Sequence, residues 1–178
     1  RIRERDVPDS LVSASSFVDI AHLHYDKGDF AAALDWYQRA LEIRQRDSPN
    51  SLVVASTYNC IGNVLQAMDK YDEAFEYQTK ALRIQQLPSQ YHFLTVATTQ
   101  HNIAWIYDAQ GKHELAIENH KLALSVVEDK APDSCYVATS YTDLGTYFYN
   151  KDEPESALEY HRKALEIRQR YAPDSLFV

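Results

Sequence analysis

The heptad Ala-Leu-Glu-Ile-Arg-Gln-Arg occurs twice, at Ala40–Arg46 and at Ala164–Arg170. Two weaker copies, Ala81-Leu82-Arg83-Ile84 and Ala123-Leu124-Ser125-Val126, stand between them, so the steps from copy to copy are 41, 42 and 41 residues. A fixed period of this size excludes most single-core folds, because it demands one supersecondary unit copied and stacked, each copy touching only its neighbours. The flanks keep the period. Ile2-Arg3-Glu4-Arg5 ahead of Pro8-Asp9-Ser10-Leu11 matches Ile43-Arg44-Gln45-Arg46 ahead of Pro49-Asn50-Ser51-Leu52, and Pro173-Asp174-Ser175-Leu176 opens a further copy. The expected organisation is one array over residues 1–178. Its repeats lie near 9–49, 50–90, 91–131 and 132–172, with partial repeats at 1–8 and 173–178. Neither end shows the polar capping helix of a finished array, so a piece of a longer one is expected.

Each repeat reads as two helices. First helices are predicted near residues 10–27, 51–68, 92–110 and 134–150, and second helices near 30–46, 71–86, 113–129 and 154–170. Ser, Asp or Asn before the apolar pattern marks the starts of first helices, and Pro154 suits the first turn of its helix, where a missing N–H costs little. Phe30, Ala33, Leu34, Tyr37, Ala40 and Leu41 form a stripe at helical spacing. Acidic residues come early in the second helices and Arg44, Arg46, Arg168 and Arg170 come late, which complements the helix dipole. The extra residue of the 42-residue step falls within residues 85–93. Inside a helix it would rotate the buried face by about 100°, so it is expected in the loop.

The fold class that follows is all-α, an αα-solenoid or superhelix of antiparallel helix pairs. Composition agrees: 45% apolar residues with only 4 Gly and 6 Pro fit neither disorder nor a turn-rich β fold. A net charge of −8 argues against nucleic acid, which is bound by Lys and Arg neutralising phosphates. Cys60 and Cys135 are the only cysteines, too few and too isolated for a disulfide framework or a metal site. A reducing, cytoplasmic setting is expected, without membrane insertion, since no apolar run approaches the length of a span.

These residues resemble the tetratricopeptide repeat family. Its pattern of a large residue, Leu-Gly, an aromatic, Ala, an aromatic and Ala appears as Tyr141, Leu144-Gly145, Phe148, Ala157, Tyr160 or His161, and Ala164. It appears again as Tyr58, Ile61-Gly62, Leu65, Ala74 and Ala81. Ala33, Ala74, Ala116 and Ala157 recur where the two helices of a repeat must approach closely. The usual period of that family is 34 residues, and the excess here is close to two helical turns. The long form, with Val96-Ala97 or Val137-Ala138 opening the first helix and Ala-Leu-x-Ile-Arg closing the second, is similar to kinesin light chain repeats.

The resemblance implies that one face of the first helices lines a concave groove that binds peptides. Ile20, Leu23, Ile61, Val64, Ile103, Ile106, Tyr107, Leu144, Tyr147 and Phe148 mark the inward face. The opposite row, taken at helical steps, carries Val18, His22 and Tyr25, then Asn59, Asn63 and Gln66, then His101, Trp105 and Asp108, then Thr142, Thr146 and Tyr149. Asp19, Cys60, Asn102 and Asp143 lie beside it. Amide and hydroxyl groups can hydrogen-bond a peptide backbone in either direction, and Trp and Tyr supply contact area at low entropy cost. A merely solvated face would carry Glu and Lys, as the second helices do. Asp19, Asp26, Asp108 and Asp143 point to a basic or polar-aromatic peptide.

Catalysis is not expected. His113-Glu114-Leu115-Ala116-Ile117 begins like a zinc-protease motif but lacks its second His. His22 and His24 face different directions on a helix, and His120 and His161 share one repeat position, as architectural residues do. No metal or cofactor is implied. The expected function is therefore a protein- or peptide-binding scaffold, part of a larger adaptor. The alternative is a structural or regulatory sensor array within a multidomain protein, self-associating end to end.

Overall fold

A computed structural model describes residues 10–132 and 134–171. The partial repeats expected at 1–8 and 173–178, with Asp9 and Asp133 of the helix-start motifs, lie outside the described residues. Within them are eight helices: α1 (Leu11–Asp26), α2 (Phe30–Asp47), α3 (Leu52–Ala67), α4 (Tyr71–Gln85), α5 (Phe93–Ala109), α6 (His113–Lys130), α7 (Cys135–Asn150) and α8 (Pro154–Tyr171). Odd-numbered helices are the first of each repeat. Each packs along the even-numbered helix that follows it, α2 also packs on α3, and α6 on α7. The chain forms two compact units, Arg1–Tyr91 and His92–Val178.

The turn inside each repeat is set by one backbone conformation. Gly28 (φ 76°), Asp69 (φ 59°), Gly111 (φ 74°) and Asp152 (φ 58°) all lie in the left-handed region at the same repeat position. Glycine reaches that region without penalty, and Asp is among the few other residues that tolerate it. The turn between repeats works differently. Ser51 and Ser134 stand at the N-cap positions of α3 and α7 but make no side-chain cap bond. Their hydroxyls donate backwards, Ser51 to the Ser48 carbonyl (2.8 Å) and Ser134 to the Ala131 carbonyl (2.7 Å), and so tie down the tight link from the preceding helix. Ser10 does cap α1, accepting from the Ser13 N–H at 3.3 Å. The extra residue of the 42-residue step lies between Ile84 and Val96, where α4 ends at Gln85 and α5 starts only at Phe93. That link is longer than the other two, and the helical faces keep their register: Val54-Ala55, Val96-Ala97 and Val137-Ala138 are all buried.

In the first unit Ala14, Ala40 and Ile43 pack with Phe17 and Val18, and Val54, Ile61, Val64 and Leu65 of α3 are fully buried. In the second unit Ala116, Ala123, Leu124, Val127, Leu144, Tyr147 and Phe148 form the core. Leu23, expected to face inward, is 60% exposed. Its counterpart Tyr147 lies against the preceding repeat, its hydroxyl donating to the His113 carbonyl at 3.3 Å, whereas no described helix precedes α1.

The repeats of the first unit are also joined by hydrogen bonds. Arg44 donates to the Thr57 hydroxyl at 2.7 Å and Gln45 to the Tyr58 hydroxyl at 2.6 Å, both from α2 to α3. The same two positions meet in the second unit, where the Tyr141 hydroxyl donates to Glu128. Arg44 thus does more than complement a dipole: it fastens one repeat to the next.

Close approach inside a repeat rests on a small residue of the first helix: Ala21, Gly62, Ala104 or Gly145. A Cβ on Gly62 would lie 2.7 Å from Nε2 and 3.1 Å from Cγ of the fully buried Gln78. A Cβ on Gly145 would lie 2.8 Å from the imidazole of His161, an exposed ring free to turn away. Gly62→Ala should therefore lose about 1–2 kcal/mol, overpacking exceeding the gain in helix propensity. Gly145→Ala should be neutral or gain up to about 1 kcal/mol. Urea unfolding of both variants checks this, and equal effects would contradict it.

Candidate functional site

In the second unit a cleft of about 360 Å³ opens between α5 and α7. Leu94, Ala97, Thr98, His101, Asn102 and Trp105 line it from α5, Tyr136, Thr139, Ser140 and Asp143 from α7, and Val127 of α6 closes its base. The first helices supply nearly all of it because the second helices turn their stripe to the core. Beneath the cleft lies His120 of α6, fully buried. Its Nδ1 is 2.9 Å from Nδ1 of His101, and its ring meets Trp105 edge-on at 5.5 Å between centroids. His101 Nε2 is 3.4 Å from the Ser140 hydroxyl and 3.6 Å from the Asp143 carboxylate.

The first unit has the same layering with different chemistry. Tyr37 and Gln78 occupy the repeat position of His120, and both are buried. Gln78 Nε2 donates to Asn63 Oδ1 (2.9 Å) and to the Asn59 carbonyl (3.3 Å), orienting the row on α3. Tyr37 meets the ring of His22 edge-on at 5.5 Å, and His22 Nε2 in turn is 3.8 Å from Cys60 Sγ, linking α1 to α3. Burial pushes the Cys60 thiol up from its ordinary value, which disfavours the thiolate that a nucleophile needs.

The sequence pattern of the tetratricopeptide repeat matches residues 53–129 in one form and residues 13–46 and 137–173 in another. The chain belongs to the tetratricopeptide repeat family. Similar solved structures include nearly identical repeats of a putative kinesin light chain of Podosopora anserina, with TM-score 0.71 and 16% identity over 96% of this chain and 82% of that one. Aspartyl phosphate phosphatase F from Bacillus subtilis superposes with TM-score 0.79 and 20% identity over 95% of this chain, which spans only 43% of the phosphatase. BtubC (BKLC) from P. vanneervenii gives TM-score 0.61 and 22% identity over 96% of this chain and 78% of that one. At these identities the likeness is one of fold. No curated protein sequence matches the chain significantly. Tetratricopeptide repeats are protein-interaction scaffolds, typically non-catalytic. No helix among the described residues is long and apolar enough to cross a membrane, and no cluster of His, Cys, Asp or Glu among them could hold a metal ion.

Of the row expected on the tetratricopeptide first helices, the cleft brings together His101, Asn102, Trp105 and Asp143. Trp105 is half-buried and braces His120 as well as lining the cleft. Asp108 lies outside it, its carboxylate held by Lys151 Nζ (2.6 Å) and His113 Nδ1 (2.9 Å), so it adds no free charge to an acidic floor. Thr142 donates to the Ala138 carbonyl and accepts from Arg168 (3.0 Å). Thr146 and Tyr149 are exposed towards the end of α7. In the first unit Asp19 and His22 are exposed, while Tyr25, Asn59, Asn63 and Gln66 are half-buried. Sequence stepping missed Leu94, Thr98, Tyr136 and Thr139, which lie four and seven residues before His101, Asn102 and Asp143. The signal was present, because the same helical step taken towards the N-terminus reaches them.

Burial holds both His101 and His120 down at about 4 and pushes the Asp143 carboxyl up to about 6. The 3.6 Å contact between His101 and Asp143 is therefore not an ion pair: by the pH at which His101 gains a proton, Asp143 has already taken one. The histidine contact needs one ring to donate and the other to accept, and with both held down at about 4 by burial the two rings are neutral at pH 7. A histidine buried as the neutral ring contributes stability above its unfolded value of about 6.5, lost as pH falls towards 4. Asp143 acts in the opposite sense, its charge being relieved below about 6. Replacing His120 with Gln, the residue found at the same position in α4, should remove about 1–2 kcal/mol of the stability difference between pH 7 and pH 5. Thermal melts of both proteins at the two pH values check this; an unchanged difference would contradict the assignment.

Proposed function

We propose that this chain is a peptide-binding scaffold, and that the occupied surface in its second unit is the cleft between α5 and α7. The observation that carries the reading is the cleft itself. Its volume of about 360 Å³ falls in the range of ligand sites, with apolar walls and a few convergent polar groups. The Asn102 amide makes no hydrogen bond among the described residues and is half-buried at the cleft wall, placed to pair with a peptide backbone. The rows of α1 and α3 are proposed to act in the same way in the first unit, with Asn63 held ready by Gln78. Repeat boundaries near residues 49, 90 and 131, an adaptor role, a cytoplasmic setting and a basic or polar-aromatic ligand belong to the same proposal. The kinesin light chain repeats among the similar structures favour it. The phosphatase lends only its fold.

A second reading, self-association, is favoured by one observation: Leu158 and Leu165 of α8 are 50% and 52% exposed. A concentration series in light scattering addresses it.

The cleft is tested by Asn102→Ala together with Trp105→Ala. Affinity for a peptide recovered from an array should fall by about 2 kcal/mol or more, measured by titration beside melting curves. Asn102→Ala alone separates binding from the bracing of His120 by Trp105. Equal affinity in both variants would contradict the proposal.

A further inference from the structure

We propose that the α5–α7 cleft selects a basic peptide side chain, Lys or Arg, and that Asp143 is the residue that reads it; the inference rests on the cleft being a peptide site.

Among the described lining residues Asp143 is the only one charged at neutral pH, since His101 is neutral. Among the described residues no lysine or arginine pairs with that charge. The nearest partner of its carboxylate is His101 at 3.6 Å. Lys151, just past the end of α7, holds Asp108 at 2.6 Å, and Arg168 of α8 donates to Thr142, the residue before Asp143, at 3.0 Å. The contrast with Asp108 is informative. Both carboxylates are partly buried in the same unit, but one is neutralised by a lysine of the chain and the other faces a cleft. A partly buried carboxylate without a counter-charge is costly, and an incoming cation that completes the pair recovers that cost as affinity. The raised Asp143 carboxyl agrees with this, because its present surroundings favour the proton.

The rest of the cleft suits a side chain with an apolar stem and a charged end. Leu94, Ala97, Val127 and Trp105 offer hydrocarbon and ring surface, against which the methylene groups of Lys or Arg pack while the head reaches the carboxylate. Asn102 occupies on α5 the repeat position that Asp143 occupies on α7, so one wall offers an amide for the peptide backbone and the other the charge. An acidic peptide would meet uncompensated repulsion.

The test uses the full chain and acetylated peptides, free of His, that differ only at a central Lys, Arg, Met or Glu, read by fluorescence anisotropy at low temperature. Wild type should prefer Lys or Arg over Met by about tenfold or more, and Asp143→Asn should bring the preference within about twofold. Affinity of wild type for the Lys peptide should fall from pH 7.5 to pH 5, as Asp143 takes a proton while His101 and His120 stay mostly neutral; the Met peptide should not follow. If Asp143→Asn does not fold, the pH series on wild type decides. Undiminished charge preference in Asp143→Asn, or a flat pH series, overturns the inference while leaving the cleft as the site, provided the Asn102→Ala, Trp105→Ala variant still loses binding. If that variant binds as wild type, the cleft reading fails as well. Displacement by equimolar spermidine would reassign the cleft to small polycations and overturn the peptide assignment.

Discussion

The close approach of the two helices within a repeat is the contact on which the rest depends. Ala21, Gly62, Ala104 and Gly145 bring the first helix so near the second that one side chain of the second helix fills the space beneath it. That side chain is Tyr37, Gln78, His120 or His161. In α2, α4 and α6 it is buried and polar, and it faces the residues that form the outer row. Gln78 holds Asn63, and His120 holds His101 and supports Trp105. A buried polar group must be answered by hydrogen bonds, so the residue beneath the row restricts which side chains stand on it. The repeat thereby keeps one backbone while varying the surface it presents.

Stacking does the remaining work, and the repeated heptad shows it directly. Leu41 and Leu165 sit in identical sequence, yet Leu41 is 7% exposed and Leu165 52%. The difference is α3, which covers α2 and joins it through Arg44 and Gln45. No described helix covers α8. Identical local sequence gives identical helices, but burial belongs to the neighbour, as expected of a quasi-one-dimensional fold.

The period made the fold legible before any contact was known, because helix spans and turn positions follow from apolar spacing and from Gly28 and Gly111. The loop placement of the extra residue followed from the cost of rotating a helical face. Other features depend on partners distant in sequence. Asp108 looks like a groove carboxylate until Lys151 is found beside it. Ser51 and Ser134 look like caps, but their hydroxyls serve the preceding link. The shared position of His120 and His161 was visible; that it lies beneath the cleft was not. Leu94, Thr98, Tyr136 and Thr139 of the cleft were missed for a simpler reason, since the row was followed towards the C-terminus of each helix and not back towards its start.

A cleft built almost wholly from first helices, above a buried polar layer, makes α5 and α7 the proposed interacting surface of the second unit. The most direct measurement is chemical-shift mapping of the ¹⁵N-labelled chain during titration with a lysine-containing peptide. The account predicts that perturbations concentrate at the amides of Thr98, Asn102 and Thr139 and at the indole of Trp105. Perturbations centred instead on the outer faces of α6 and α8, around Leu122 and Leu158, would contradict it.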